Sequence, residues 1–270
     1  MVTSPTLLCV HAHPDDEALF TAGATAHYAE LGYNVVLVTC TLGQLGIDDE
    51  GRPGSHPAHN AAWTKATRAS ELQKAGALVG FSRQITLGYL DSGMKGWAAN
   101  DHENAFIKAD VEKVATTLAA IIDEVGADVV LTYDENGFYG HPDHIQANRV
   151  TVAAVKKSAS AQRLYYPILP SSVLSTFVPL ASERGVSLPA WVTDANNAVS
   201  DDAVTTTIDA TLYAGIKQAS IATHASQIDN ADLVSMDTEL FMLLFGTEYY
   251  QRAWSRTPVS GDQTNLFGGM

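Results

Sequence analysis

TLLCVHAHPDDE, Thr6 to Glu17, joins a short apolar run, Thr6–Val10, to a polar turn marked by a proline and three successive acidic residues. An apolar run of that length that stops abruptly at such a turn reads as a buried strand handing over to a helix. Outward from it, Glu17–Leu31 has a helical pattern closed by Gly32, Asn34–Cys40 is a second strand, and Thr41–Asn60 is a polar loop. Ala61–Val79 carries Leu72, Ala75 and Leu78 at helical spacing before Gly80, and Gln84–Leu87 suggests a third strand. An irregular segment, Asp91–Asn104, precedes a helix at Ala109–Glu124, a strand at Asp128–Tyr133 and a helix at Pro142–Ser158. Strands alternating with longer helices predict an α/β fold, a Rossmann-like, mainly parallel sheet with helices on both faces.

Beyond Arg163 the pattern is less regular: a strand at Leu164–Leu169, a helix at Ser171–Ser182, a strand at Val204–Ile208 and a helix at Leu212–His224. No repeat or long linker divides the chain. We therefore expect one domain over residues 1–270, with 1–158 as its Rossmann-like core and 159–270 completing it and walling the substrate site.

The 270 residues are 46% apolar, with 30 acidic against 16 basic side chains and a net charge of −14. Without a basic patch to neutralise phosphates, nucleic acid and anionic membrane surfaces are poor partners. No apolar run approaches the ~20 residues of a membrane span. The opening MVTSPTLLCV has neither the basic region nor the long apolar core of a signal peptide, so a cytoplasmic protein is expected. Cys9 and Cys40 read as buried free thiols.

Ligands in such sheets gather beyond the carboxyl ends of the strands, and two polar turns fall there. The first holds His13, Asp15 and Asp16; the second, after DVVLTY, is Asp134-Glu135-Asn136-Gly137-Phe138-Tyr139-Gly140-His141-Pro142-Asp143-His144. An acidic helix start accounts for Asp15 to Glu17 taken alone, but two His-Pro-Asp turns on one rim call for a divalent cation. Two ligands from the first turn, His13 and Asp16, with one histidine from the second, leave a position open for water, as in a catalytic zinc site. Asp15 is then free to act as the base, His141 or the Tyr139 hydroxyl to donate to an oxyanion, and Asp143 to hold a histidine tautomer. A His/Asp set also accepts Fe2+ and other divalent ions. His56 and His59 read as loop residues, His27 and His102 as surface or helix-face residues, His11 as a partner of the site, and His224 as either a helix cap or a site residue.

HAHPDDE followed by YGHPDH resembles the PIG-L or LmbE-like family of zinc-dependent N-acetylglucosaminyl deacetylases. Further similarity runs through VTCTLG at Val38–Gly43, Arg68-Ala69-Ser70-Glu71-Leu72, LDSGM at Leu90–Met94, TYDENG at Thr132–Gly137 and THASQID near the C-terminus. These segments look most like the mycothiol-pathway branch, which contains an N-acetylglucosaminyl-inositol deacetylase and a mycothiol S-conjugate amidase. The resemblance implies zinc on His13, Asp16 and His144, Asp15 as general base, His141 with Tyr139 as oxyanion or proton donors, and Arg68, Asp91 and Met94 as contacts to a small glycoside. It makes deacetylation the leading reaction, conjugate amide cleavage the runner-up, and a non-catalytic metal- or sugar-binding module a third. Three departures stand out. Gln44–Ile47 is uncharged where the family often has acidic residues, and Phe138 stands where a glycine is common. Ala18-Leu19-Phe20 lacks the lysine of the amidase, although TYDENG is nearer to that enzyme.

Overall fold

The first strand, β1 (Thr6–His11), is buried along its whole length because it has a parallel neighbour on each side, β2 (Asn34–Thr41) and β4 (Val129–Leu131). The computed structural model describes residues 4–261 and 263–270, so Met1–Thr3, part of the stretch read for a leader, lies outside the described residues. Beyond β2 lies β3 (Arg83–Tyr89), and beyond β4 lies β5 (Arg163–Pro170), all parallel, in the order β3-β2-β1-β4-β5. Side chains alternate across the pleat, and β1 shows the result. Leu8 and Val10 pack with Val114, Leu118 and Ile122 of helix α3 (Val111–Val125) and with Val150 and Val155 of the later helix at Pro142–Lys157. Leu7 and Cys9 face the other way, onto Tyr28 of α1 (Ala22–Glu30) and Leu72 and Val79 of α2 (Ala61–Val79). Helices therefore cover both faces, as the near-continuous apolar strands require. Asn60 caps α2 by accepting from the Trp63 N–H, and Gly80 ends it at a φ of +97°, a left-handed conformation that favours glycine.

The order reverses between β1 and β4, and both polar turns leave the sheet at that point. The second turn contains α4 (Gly137–Gly140) and leads into α5 (Pro142–Lys157). Past β5 come α6 (Ser171–Glu183), α7 (Ala190–Thr193), the two-residue β6 (Ala198–Val199) and β7 (Thr206–Asp209). The helices α8 (Ala214–Thr223), α9 (Ala231–Ser235) and α10 (Thr238–Phe245) precede β8 (Thr247–Ser255). β8 pairs antiparallel with β5 and β7 antiparallel with β8, so a parallel core carries an antiparallel extension. The sequence reading did not anticipate α9, α10 or β8. It also drew one helix over Glu17–Leu31, where Glu17–Thr21 forms a wider π turn before α1 begins.

β8 has a structural task at its second residue. The Glu248 carboxylate accepts the N–H groups of Gly23 and Ala24, both at 2.9 Å, at the start of α1, and pairs with Lys217 at 2.7 Å. These amides have no partner within their own helix. Glu248→Ala is expected to cost about 3–5 kcal/mol by stranding the buried Lys217, and Glu248→Gln combined with Lys217→Met markedly less. Urea unfolding checks this; a cost below about 1 kcal/mol for the single change would contradict it.

Candidate active site

The turn after β1 sends three consecutive carboxylates in three directions. Asp15 sits at a φ of +105°, a conformation strained for any residue but glycine. Asp16, 3% exposed, turns back beneath the strand end: its Oδ2 accepts the His13 N–H at 2.7 Å and the Tyr133 hydroxyl at 2.6 Å. Tyr133, at the end of the strand run after β4, also accepts the Ala12 N–H at 2.8 Å, so one phenol ties the two crossings together. Glu17 is fully buried and pairs with His224 at 2.6 Å.

The second turn delivers His141, Asp143 and His144. Gly137 must lack a side chain, because a Cβ there would lie 2.6 Å from that of His144. Phe138 follows at a φ of +66° and packs on Phe20 and Trp191, with ring centroids 4.9 and 6.0 Å away. The Gly137 carbonyl lies 3.1 Å from His144 Nδ1, and Asp143 Oδ2 lies 3.2 Å from His13 Nε2. Each acceptor holds a proton on the nitrogen it faces, which leaves a lone pair on the other nitrogen of each ring. Those two nitrogens, His13 Nδ1 and His144 Nε2, stand 3.2 Å apart. Asp16 completes a triangle, with Oδ2 at 3.5 Å from the first and Oδ1 at 3.4 Å from the second.

Facing lone pairs beside a carboxylate repel one another unless a proton or a metal cation lies among them. Ligand bonds of ~2.0–2.2 Å around a tetrahedral ion place adjacent ligand atoms about 3.4 Å apart, the spacing seen here. The residues therefore fit a divalent metal. His141 is also near, and one nitrogen from each of His13, His141 and His144 falls within 4.8 Å of the others. Its Nδ1, however, accepts the Asp143 N–H at 3.1 Å as the cap of α5. His13, Asp91 and Asp143 form another close group, but its carboxylates are engaged elsewhere. Asp91 accepts the Gly93 and Leu45 N–H groups at 2.8 and 3.1 Å, and Asp143 takes both the N–H and the hydroxyl of Ser92.

The site opens into a cleft of about 240 Å3 whose lining includes Asp15, Arg68, Tyr139, His141, Trp191 and Asn230. Burial pushes the Asp15 carboxyl up to about 6, against the opposing pull of Arg68. Burial, with His13 and His144 beside it, lowers His141 to about 3, so its ring is neutral. With Nδ1 accepting, the proton of that neutral ring is on Nε2. Burial opposes charge on His13, but Asp91, Asp143 and Asp16 outweigh it and raise the imidazole well above its ordinary value, so without an ion a proton on Nδ1 takes the place that a metal would fill.

Arg68, expected to contact sugar, is 5% exposed and grips the first turn: Nη1 donates to the Gly43 carbonyl at 2.9 Å, and Nη2 reaches the Pro14 carbonyl and Asp15 Oδ1, the latter at 3.0 Å. Asp91 lines the cleft with its oxygens committed to backbone, and Met94 is 39% exposed at the cleft. His56 is exposed and His59 lies 2.8 Å from the Gly46 carbonyl. His11, buried against Tyr133 and Thr21, touches the site from behind, and both cysteines are buried and free. Sequence reasoning passed over Tyr133, Ser92, Trp191 and Asn230. The first two lie inside TYDENG and LDSGM, the only signal that marked them.

The family model described as GlcNAc-PI de-N-acetylase, PIG-L, matches residues 8–155, over half of the chain and both turns. The chain belongs to the PIG-L family. Among similar PIG-L relatives, two are named 1D-myo-inositol 2-acetamido-2-deoxy-alpha-D-glucopyranoside deacetylase. The one from Salinispora arenicola is 38% identical over 98% of this chain and 91% of its own length, and that from Acidothermus cellulolyticus is 39% identical over 98% and 94%. The solved N,N'-diacetylchitobiose deacetylase of Pyrococcus horikoshii shares the fold, with a TM-score of 0.60 and 18% identity over 92% of this chain and 84% of that one. So does GalB, a 4-carboxy-2-hydroxymuconate hydratase of Pseudomonas putida, with a TM-score of 0.60 and 18% identity over 95% and 99%.

Removing the carboxylate behind His13 frees the ring to rotate. Asp143→Ala is expected to weaken divalent-ion binding about 10–100-fold, read by calorimetric titration of the stripped protein with Zn2+. Undiminished affinity would show that Asp143 does not orient the ligand.

Proposed function

We propose that this chain is a zinc-dependent deacetylase that removes the N-acetyl group from an N-acetylglucosaminyl-inositol type glycoside, a step of mycothiol biosynthesis. The single observation that carries the reading is the division of labour in the first turn: Asp16 is tied to the two histidines, while Asp15, on the cleft side, is left to work on a substrate. The names of the relatives, each matched over nearly its whole length, support the substrate class.

His13, Asp16 and His144 would hold the ion. When bound, it polarises the amide carbonyl and acidifies water. Asp15 accepts the proton of the attacking water as the new C–O bond forms. Arg68, 3.0 Å from its carboxylate, keeps the base aimed into the cleft. The charge that develops on the carbonyl oxygen meets two donors, His141 Nε2–H and the Tyr139 hydroxyl, and a neutral His141 keeps its proton while donating. As the C–N bond breaks, Asp15 returns its proton to the amine, and acetate and the free amino sugar leave. A carboxyl pushed up to about 6 both takes and gives a proton near neutral pH. The donor set accepts Fe2+ by the same geometry, and metal supply decides between the two ions.

Stripped protein should release no acetate from N-acetylglucosaminyl-inositol, and restored zinc should start release, faster than from plain N-acetylglucosamine. Asp15→Asn should lose about 10²–10⁴-fold in kcat while still binding zinc. Cleavage of a mycothiol conjugate without acetate release would move the amidase reading ahead. Full activity in Asp15→Asn would overturn the mechanism.

A further inference from the structure

The stretch His224-Ala225-Ser226-Gln227 has no part in the reaction above, yet it hydrogen-bonds to Glu17, Glu71 and the Ile47 N–H around the base. His224 Nε2 pairs at 2.6 Å with Oε1 of Glu17, whose Oε2 accepts the Asp15 N–H at 3.0 Å. Two residues on, the Ser226 N–H and hydroxyl donate at 2.9 and 2.7 Å to the two oxygens of Glu71. Glu71 stands three residues after Arg68 on α2, on the same helix face, and Arg68 holds Asp15 Oδ1. Gln227 Oε1 accepts the Ile47 N–H at 3.2 Å and steadies the loop whose Gly43 carbonyl anchors Arg68.

We propose that His224 is a positioning residue for Asp15: through the Glu17 carboxylate it holds the backbone of the base in its left-handed conformation, with Ser226 and Gln227 bracing Arg68 on the carboxylate side. The inference rests on the reading of Asp15 as the base. A non-glycine residue at a φ of +105° persists only where its surroundings over-determine it, and the Glu17 contact is the only hydrogen bond made by the Asp15 N–H among the described residues. Stability alone is a poor account of His224. The ring is 1% exposed and its Nδ1 is buried without a partner, an arrangement that an apolar side chain of similar size would avoid. The cost is explained if the ring is retained for what its other nitrogen holds.

The test compares His224→Leu and His224→Gln with the wild type as zinc-loaded enzymes, following acetate release, zinc stoichiometry and thermal unfolding. His224→Leu is expected to lower kcat about 10–100-fold, as misplacement of a base does, with KM within about threefold and one zinc still bound. His224→Gln restores an N–H donor toward Glu17 and should recover most of the lost kcat. Should His224→Leu fail to fold, His224→Asn, polar but too short to reach Glu17, carries the same expectation. Unchanged kcat in a folded variant, loss of zinc together with kcat, or a glutamine variant as slow as the leucine one each overturns the proposal. A wild type silent on every N-acetyl substrate fails the deacetylase reading itself, and is seen before any variant is compared.

Discussion

Two imidazole nitrogens held 3.2 Å apart and turned toward each other, with a carboxylate closing the triangle, are the arrangement on which the rest of the rim depends. Nothing local favours it. The rings stay because each is pinned from behind, His13 by Asp143 and His144 by the Gly137 carbonyl, and each pin is pinned in turn. Ser92 saturates Asp143, and Gly137 closes tightly enough that only a hydrogen fits between its backbone and His144. A site that fits a cation is thus held in shape by backbone geometry and buried hydrogen bonds. The parallel sheet makes this possible, since strands adjacent in space but distant in sequence end side by side at the switch point.

The three acidic residues after Pro14 show how a local irregularity becomes chemical diversity. On a regular helix Asp15, Asp16 and Glu17 would fan out at about 100° intervals as an ordinary acidic N-terminus. Here the positive φ at Asp15 and the π turn at Glu17–Thr21 redirect them into three separate environments. Asp16 is held well below the ordinary carboxylate range: burial opposes this, but His144, His13 and its hydrogen bond to His13 prevail. Asp15 is pushed the other way by burial. Neighbouring carboxyls whose environments drive their acidities apart are the signature of residues with different tasks.

Much of the architecture was legible because it follows from periodicity. The runs at Thr6–Val10 and Asn34–Cys40 and the spacing of Leu72, Ala75 and Leu78 specify strands and a helix through burial alone, and family membership was legible in the two His-Pro-Asp turns. The π turn was not, since its residues suit an α-helix equally and the change of winding is imposed by tertiary contacts. β8 escaped because TEYYQRAWS is only half buried and carries at its second position Glu248, a residue that signals surface until its partners at Gly23, Ala24 and Lys217 are seen. Arg68 and Asp91 illustrate the same limit at the site. Residue type and motif placed both near the cleft, but whether a side chain faces ligand or backbone depends on which amides and carbonyls converge on it, and those come from Gly43, Pro14, Gly93 and Leu45.

The irregular second half shares the apolar core of the first, with Tyr165, Ile208 and Tyr250 packed among Leu7, Tyr28 and Leu72, and adds buried polar contacts at particular points. Glu248 of β8 supplies the first amides of α1 with the acceptor they lack, so the helix that follows the first turn is anchored from a strand more than two hundred residues away. His224 reaches the π turn just before that helix. Together these contacts flank Glu17–Thr21, whose π winding departs from regular helix. π turns are rare and occur mostly as single turns within α-helices, and here the turn directly follows Asp15 and Asp16. The C-terminal portion therefore belongs to the candidate site as fully as the two turns, because its side chains hold the backbone beside Asp15.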